Sequence, residues 1–314
     1  MDKVTRVGVI GVGYLGRIHA KIYQRMSNVE LVGVLDTDES SARQVAEENN
    51  CKTFTHINEL MNEVDAVSIV TPTVTHSEIA QPFIKNGIHI LVEKPIAENY
   101  ENSLQLVQMA EEAGIIFQVG FLERFNAGVM ALAEQVHNPR FIESHRLSPF
   151  VERATDVDVI TDLMIHDIDI ILSLVKSDIV NISGSGLKVL TDHIDIANVR
   201  LEFANGAVAN VTASRVSNKK YRQMRVFEKN QYFSLNFEDQ QLSITHTEPQ
   251  PGDSRDKIVT QHPEIKHRLP LDTELAAFID SVNSGETPLV DGRTGLEAIR
   301  VANLVCNNIL DNTA

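Results

Sequence analysis

Asp162, His166, Asp169 and Ser173 recur at i, i+4, i+7 and i+11 inside the apolar run from Val157 to Val175. Read as a helix at about 100° per residue, they line up in one polar stripe roughly 60° wide. Val159, Ile160, Leu163, Ile165, Ile168, Ile170 and Leu172 occupy most of the remaining circumference. A helix apolar nearly all round is normally buried. A carboxylate and an imidazole one turn apart in such a place suit proton transfer: the carboxylate holds the ring in one tautomer and raises its basicity. Taken alone, the stripe is more often the wet side of an ordinary amphipathic helix. The rest of the chain has to decide between the two.

A second chemical signal lies at the start. The β-branched run Arg6 to Ile10 leads into Gly11-Val12-Gly13-Tyr14-Leu15-Gly16, a helix-like stretch to about Arg25, and the apolar run Glu30 to Leu35 ending in Asp36. Strand, glycine turn, helix and strand within about 30 residues is the context that makes G-x-G-x-x-G a dinucleotide fingerprint. Gly11 permits the tight turn, Gly13 lets a pyrophosphate approach the backbone, and Gly16 lets helix pack on strand. The helix N-terminus offers free N–H groups and a positive partial charge to the phosphates. Asp36 follows Gly16 by 20 residues, the place of the acid that binds ribose hydroxyls. An acid there repels a 2′-phosphate, and Thr37-Asp38 supplies no arginine, so the expected cofactor is NAD.

The alternation continues. Helices are expected over Ser40 to Asn49, His76 to Lys85 and Asn99 to Ala113, and strands over Asp65 to Val70, Ile88 to Val92 and Ile115 to Gly120. Such alternation predicts a mainly parallel, doubly wound sheet, with ligands beyond the carboxyl ends of its strands. Thr71, Pro72, Glu93, Lys94 and Gln118 to Phe121 stand at those ends.

Together, Gly11 to Gly16, Thr71-Pro72 with His76, and Glu93-Lys94-Pro95 resemble the Gfo/Idh/MocA oxidoreductase family over nearly the whole chain. The resemblance implies a Rossmann domain followed by an α/β domain with a large open sheet. It also implies that Lys94 lies between nicotinamide and substrate, and that Asp162-Leu163-Met164-Ile165-His166 is the family's catalytic Asp-x-x-x-His. Gly11, Gly13, Tyr14, Leu15, Gly16, Asp36, Thr71, Pro72, His76, Glu93 and Lys94 are the expected cofactor contacts. Many relatives carry glycines just before the Asp, where this chain has Thr155 to Thr161. Glu123 to Asn126, Phe141 to Leu147 and Thr155 to Asp158 look most like the branch that oxidises the 3-hydroxyl of UDP-N-acetylglucosamine for lipid A diamino sugars. The diphosphate of such a substrate needs donors, and arginine forks suit phosphate. Arg124 is the first candidate, with Arg146, Arg153 and the group Arg215, Lys219, Lys220, Arg222 and Arg225 behind it; Asp169 is a further candidate substrate contact.

After residue 123 the pattern changes. A helix from Ala127 to His137 and a strand from Phe141 to Leu147 precede the opening helix. Strands then follow over Ile179 to Leu190, Ile194 to Phe203, Ala207 to Ser214, Arg222 to Phe227, Tyr232 to Phe237 and Leu242 to Thr245, joined by turns such as Ala204-Asn205-Gly206. Helices Asp272 to Ser284 and Thr294 to Leu310 close the chain. The expected organisation is an α/β protein: an NAD-binding Rossmann domain over 1–122, with a doubly wound parallel sheet, and a substrate-binding and oligomerisation α/β domain over 123–314, with a large, mostly antiparallel open sheet. An open sheet face of that size usually pairs with another subunit, so a homodimer or homotetramer is expected.

The bulk numbers exclude several classes. With 314 residues, 43% of them hydrophobic, the chain can fill two cores. A net charge of −15 argues against general nucleic-acid binding. No apolar run reaches the ~18 residues of a membrane span. The N-terminus shows no signal-peptide pattern, and Cys51 and Cys306 stand far apart without a pairing pattern, which together read as cytoplasmic. Asp162 and His166 lack the third ligand or CxxC that zinc would need, so no metal is expected. The expected partner is a small-molecule sugar or nucleotide-sugar. Two other readings stay open: an NAD-dependent dehydrogenase of a free sugar or inositol, and a non-catalytic NAD-binding regulator.

Overall fold

A computed structural model describes residues 4–151, 157–250 and 256–311. Its contacts divide the chain into two units: Met1–Leu122 with Leu269–Glu297, and Glu123–Arg268 with Ala298–Ala314.

The first unit alternates β1 (Thr5–Ile10), α1 (Tyr14–Arg25), β2 (Val29–Leu35), α2 (Glu39–Asn49), β3 (Lys52–Phe54), α3 (Ile57–Met61), β4 (Ala66–Ile69), α4 (His76–Lys85), β5 (His89–Glu93), α5 (Tyr100–Ala113) and β6 (Phe117–Gly120). The local signals are visible at the helix ends. Asp38 accepts from the N–H groups of Ser40 and Ser41 to start α2, and Asn99 accepts from Asn102 N–H to start α5. Gly114 stops α5 in the left-handed conformation, φ +65°. The strands form one parallel sheet in the order β3-β2-β1-β4-β5-β6. The order reverses between β1 and β4, so the crevice at their carboxyl ends is the expected dinucleotide site.

The second unit begins with α6 (Ala127–Gln135) and β7 (Phe141–Leu147), then α7 (Ile165–Val175). Seven strands follow: β8 (Ile179–Leu187), β9 (Ile196–Phe203), β10 (Val208–Ser214), β11 (Tyr221–Glu228), β12 (Gln231–Asn236), β13 (Gln241–Glu248) and β14 (Lys257–Gln261). They make an eight-stranded sheet in the order β14-β13-β12-β11-β7-β10-β9-β8. Every neighbouring pair is antiparallel except β7 with β10. On β7 the buried residues Ile142, Ser144 and Arg146 alternate with the less buried Phe141, Glu143, His145 and Leu147, the period-2 signature of a sheet covered on one face.

The C-terminal helices α8 (Pro270–Ser284) and α9 (Gly292–Asp311) depart from the expected partition. The sequence assigns everything after residue 122 to the second domain, yet Leu269–Glu297 returns to the first unit. Leu275, Phe278, Ile279 and Val282 of α8 share a core with Val7, Val9, Tyr23 and Val34. An apolar helix face does not say which sheet will bury it. The short β3, α3 and β14 also escape a reading based on long periodic runs. Among the described residues, no helix is long and apolar enough to cross a membrane.

Candidate functional site

In the first unit the glycine turn has the geometry its spacing predicts. Gly11 sits at φ +84°, and a Cβ there would meet the Val70 carbonyl oxygen at 2.6 Å, so the turn admits only glycine beside β4. A Cβ on Gly16 would strike the Gly11 carbonyl at 1.8 Å, which lets α1 pack against the turn. A Cβ on Gly13 would meet nothing within 4 Å. Gly13 also caps α1 without a side-chain hydrogen bond, so no side chain occupies the helix N-terminus. Tyr14 beside it is exposed and Leu15 half-buried. Asp36 bends back onto this turn: its carboxylate accepts from Val12 N–H at 2.6 Å and Asp38 N–H at 2.9 Å. The open glycine, the free helix end and the acid at the end of β2 fit a dinucleotide whose ribose hydroxyls bind Asp36 and whose pyrophosphate faces Gly13.

Around the other strand ends, the Thr71 hydroxyl accepts from the Thr75 hydroxyl at 2.9 Å, and Pro72 is exposed. His76 is 1% exposed, and its two ring nitrogens lie 3.0 Å from the Pro95 carbonyl oxygen and 2.8 Å from that of Thr71. The ring therefore braces the turn after β4 against the segment after β5. Lys94 is half-buried at the end of β5.

Behind Lys94 lies a buried group that the sequence did not announce. Glu93 Oε1 is 3.4 Å from Nε2 of His19, which is 0% exposed. Glu274 of α8 is also sealed, and neither of its carboxyl oxygens has a hydrogen-bond partner among the described residues. Burial, reinforced by the charge of Glu93, pushes the Glu274 carboxyl well above the ordinary carboxylate range. The Tyr23 phenol is raised by burial as well, and is 2.7 Å from the Ser68 hydroxyl. The one available hint was a His and a Glu set within helix faces otherwise given to Ala20, Ile22, Leu275 and Phe278.

In the second unit the Asp-His helix is not one uninterrupted α-helix. Residues Ile160–Met164 form a π turn: Ile165 N–H donates to the Ile160 carbonyl five residues back, and α7 continues from there. Such turns are rare and concentrate at functional sites. The wider turn rotates Asp162 relative to the α-helical stripe through His166, Asp169 and Ser173. Asp162 and His166 are both half-buried, whereas Val159, Ile160, Ile165 and Ile168 are sealed. The helix start is pinned, since Asp158 accepts from Ile194 N–H at 2.6 Å and Val159 N–H donates to the Ile194 carbonyl at 2.8 Å. Ser173 turns its hydroxyl back onto the Ile170 carbonyl, 2.7 Å away.

Asp169 and Arg124 meet, Nη1 to Oδ1 at 3.1 Å, with the carboxylate 2% exposed. Burial outweighs the guanidinium and pushes the Asp169 carboxyl up to about 7. Asp167, which the stripe passes over, is 0% exposed and gripped by Arg146 through Nε at 2.8 Å and Nη2 at 3.0 Å. Arg146 Nη1 donates to Glu123 at 2.7 Å, and its guanidinium lies over the Phe237 ring at 4.9 Å. Burial works against the Arg146 charge, but Asp167 and Glu123 overcome it and raise its pKa. Arg215 is spent on the Val157 carbonyl at 2.6 Å, and Asp195 lies 3.8 Å from its Nε. Arg225 pairs with Glu143, and Lys220 with Glu238. Arg153 lies outside the described residues. Within the second unit, then, Arg124 and Asp169 come together beside the Asp162/His166 turn, while Arg225 and Glu143 face the other side of the sheet.

The comparisons with known proteins agree with this architecture. Residues 5–121 match a family described as "Oxidoreductase family, NAD-binding Rossmann fold", and residues 130–238 match the "GFO/IDH/MocA C-terminal domain". The chain is 37% identical over 302 residues, 95% of each chain, to UDP-N-acetylglucosamine 3-dehydrogenase of Acidithiobacillus ferrooxidans. A solved structure of that enzyme superposes with a TM-score of 0.91, covering 97% of each chain at 35% identity. Myo-inositol 2-dehydrogenase of Thermotoga maritima is 28% identical, covering 94% of this chain and 93% of its own. The first unit is thus an NAD-binding Rossmann domain, and the chain belongs to the GFO/IDH/MocA family of oxidoreductases.

Proposed function

We propose that this protein oxidises a secondary hydroxyl of a nucleotide sugar, the 3-hydroxyl of UDP-N-acetylglucosamine, with NAD as the oxidant. The observation that carries the reading is the 37% identity over 95% of both chains to an enzyme of that name, with Asp162 and His166 half-buried on a mostly buried helix. Bound NAD supplies the acceptor for the hydride that leaves the carbinol carbon as the C=O bond forms. His166 takes the hydroxyl proton as the O–H bond breaks, and Asp162 keeps the ring oriented and stabilises its positive charge. Lys94 holds the same oxygen and stabilises negative charge that develops on it. Glu93 anchors the strand end that carries Lys94. The product is a 3-keto sugar.

In the same reading the open face of the eight-stranded sheet pairs with a second copy, as a homodimer or homotetramer. The protein works in the cytoplasm, since Cys51 and Cys306 are free thiols that burial pushes up to about 11, too high for ready reaction. Mixing purified protein and NAD with UDP-N-acetylglucosamine should produce NADH. Myo-inositol in its place should not. NADH from inositol alone would transfer the assignment to the polyol dehydrogenases, and NAD binding without turnover of either would point to a regulator.

A further inference from the structure

The buried face of the eight-stranded sheet carries a second arginine beside Arg146. Arg222 of β11 stands directly opposite Arg146 of β7 in the strand register, on the side where Met224 and Val226 are sealed. The two guanidiniums are held very differently. Arg146 is saturated: three of its nitrogens meet carboxylate oxygens at 2.7–3.0 Å, and it is 2% exposed. Arg222 makes one long hydrogen bond, Nη1 to Glu123 Oε1 at 3.3 Å, to an oxygen already taken at 2.7 Å by Arg146. The Arg222 Nε is buried and has no acceptor among the described residues, while 29% of the side chain remains exposed.

The nearest carboxylates, Asp167 and Glu123, are already held by Arg146 at 2.7–3.0 Å. Burial lowers the pKa of Arg222, and the like charge of Arg146 lowers it further, against Glu123, Asp167 and Glu238. A guanidinium on a rigid strand, with an unmet Nε–H and a partly exposed side chain, is a receptor for an anion with several oxygens. Four other candidate cations of this unit are committed elsewhere. Arg124 is held by Asp169, Arg215 by the Val157 carbonyl, Arg225 by Glu143 and Lys220 by Glu238.

We propose that Arg222 is the diphosphate-binding residue of the substrate site, gripping the anion with its guanidinium while Glu123 stays with Arg146. The inference rests on the nucleotide-sugar reading and gives its charged part a place. It also explains the divided Glu123: a single carboxylate shared by two arginines leaves one of them free to exchange its partner for substrate.

The test is a calorimetric titration of the NADH-saturated protein with UDP, which keeps the probe out of the dinucleotide site. Arg222→Ala should weaken UDP binding about tenfold to a hundredfold. Arg222→Lys, a point charge without the fork, should fall between. NADH affinity should be unchanged in both. KM for UDP-N-acetylglucosamine should rise by the same factor with little change in kcat. Should the alanine variant fail to fold, Arg222→Gln and Arg222→Lys keep the buried stem and read the same loss. Wild-type UDP affinity in these variants would overturn the proposal, as would a wild-type protein that binds no UDP. If UDP binds through Arg222 but UDP-N-acetylglucosamine is not oxidised, the subsite stands and the substrate assignment falls. If the sugar nucleotide is oxidised with the same KM in wild type and variants, the reverse holds.

Discussion

Arg146 holds Asp167 in a two-point grip, 2.8 and 3.0 Å, with the side chains 2% and 0% exposed. Asp167 is the immediate neighbour of His166, so this buried pair ties the Asp162/His166 helix to β7 of its sheet. Removing one partner strands a charge that the interior cannot solvate. Asp167→Asn or Arg146→Met should therefore cost about 3–5 kcal/mol, measured by urea denaturation. Replacing both by apolar residues of similar volume should recover most of the loss. A double variant as unstable as the singles would show that packing, not the stranded charge, is what the pair supplies.

In the proposed reaction Lys94 and His166 act on one oxygen, so the effects of their removal should not add. Lys94→Ala or His166→Ala should each lower kcat about a hundredfold to ten-thousandfold. The double variant should be little worse than either single one. NADH binding, measured by fluorescence, should survive His166→Ala. Unchanged turnover in both single variants would remove them from the mechanism.

Asp169 makes stability depend on pH in an unusual direction. Its carboxyl is raised by burial from 3.8 to about 7 in the folded protein. The folded state therefore holds a proton that the unfolded chain releases. That contribution is complete below about pH 4 and is lost as pH rises through about 7. Asp169→Asn does not titrate, so its melting temperature should fall less between pH 5 and pH 8 than that of the wild type. Parallel curves for the two proteins would place the ionised form in the fold at all these pH values.

Glu274 predicts a related effect in the first unit. Its carboxyl is raised by burial and then by Glu93, so the folded state again binds the proton more tightly than the unfolded chain. The stability it contributes is present below its ordinary value of 4.5 and is lost as pH climbs through the raised one. Glu274→Gln should melt at or above the wild type, with an advantage that widens as pH rises. A uniform loss at every pH would mean that the native carboxyl makes hydrogen bonds that glutamine cannot replace.

Local chemistry written into the sequence was enough for much of the protein. Gly11, Gly13, Gly16 and Asp36 specify a turn, an open helix end and an acid by spacing alone, because the backbone conformations and the reach of one βαβ unit leave little choice. Asp38, Asn99 and Gly114 mark helix ends through bonds to residues two to four positions away. The short strands and the alternating faces of β7 to β13 follow from a period of two.

Tertiary structure alone decided where charges are paid off across distant segments. Asp167 reads as a helix residue between isoleucines until Arg146, 21 positions earlier, is seen to meet it. Glu274 joins Glu93 and His19 only because α8 returns to the first sheet's core, a choice made by side-chain packing with no local mark. The same holds for the basic residues. Arg124, Arg215, Arg222 and Arg225 are equivalent in a sequence, since each is one cation on a flexible stem. Their separate fates, three paired and Arg222 left partly exposed, depend on strand register and on which carboxylates the fold brings within 3 to 4 Å.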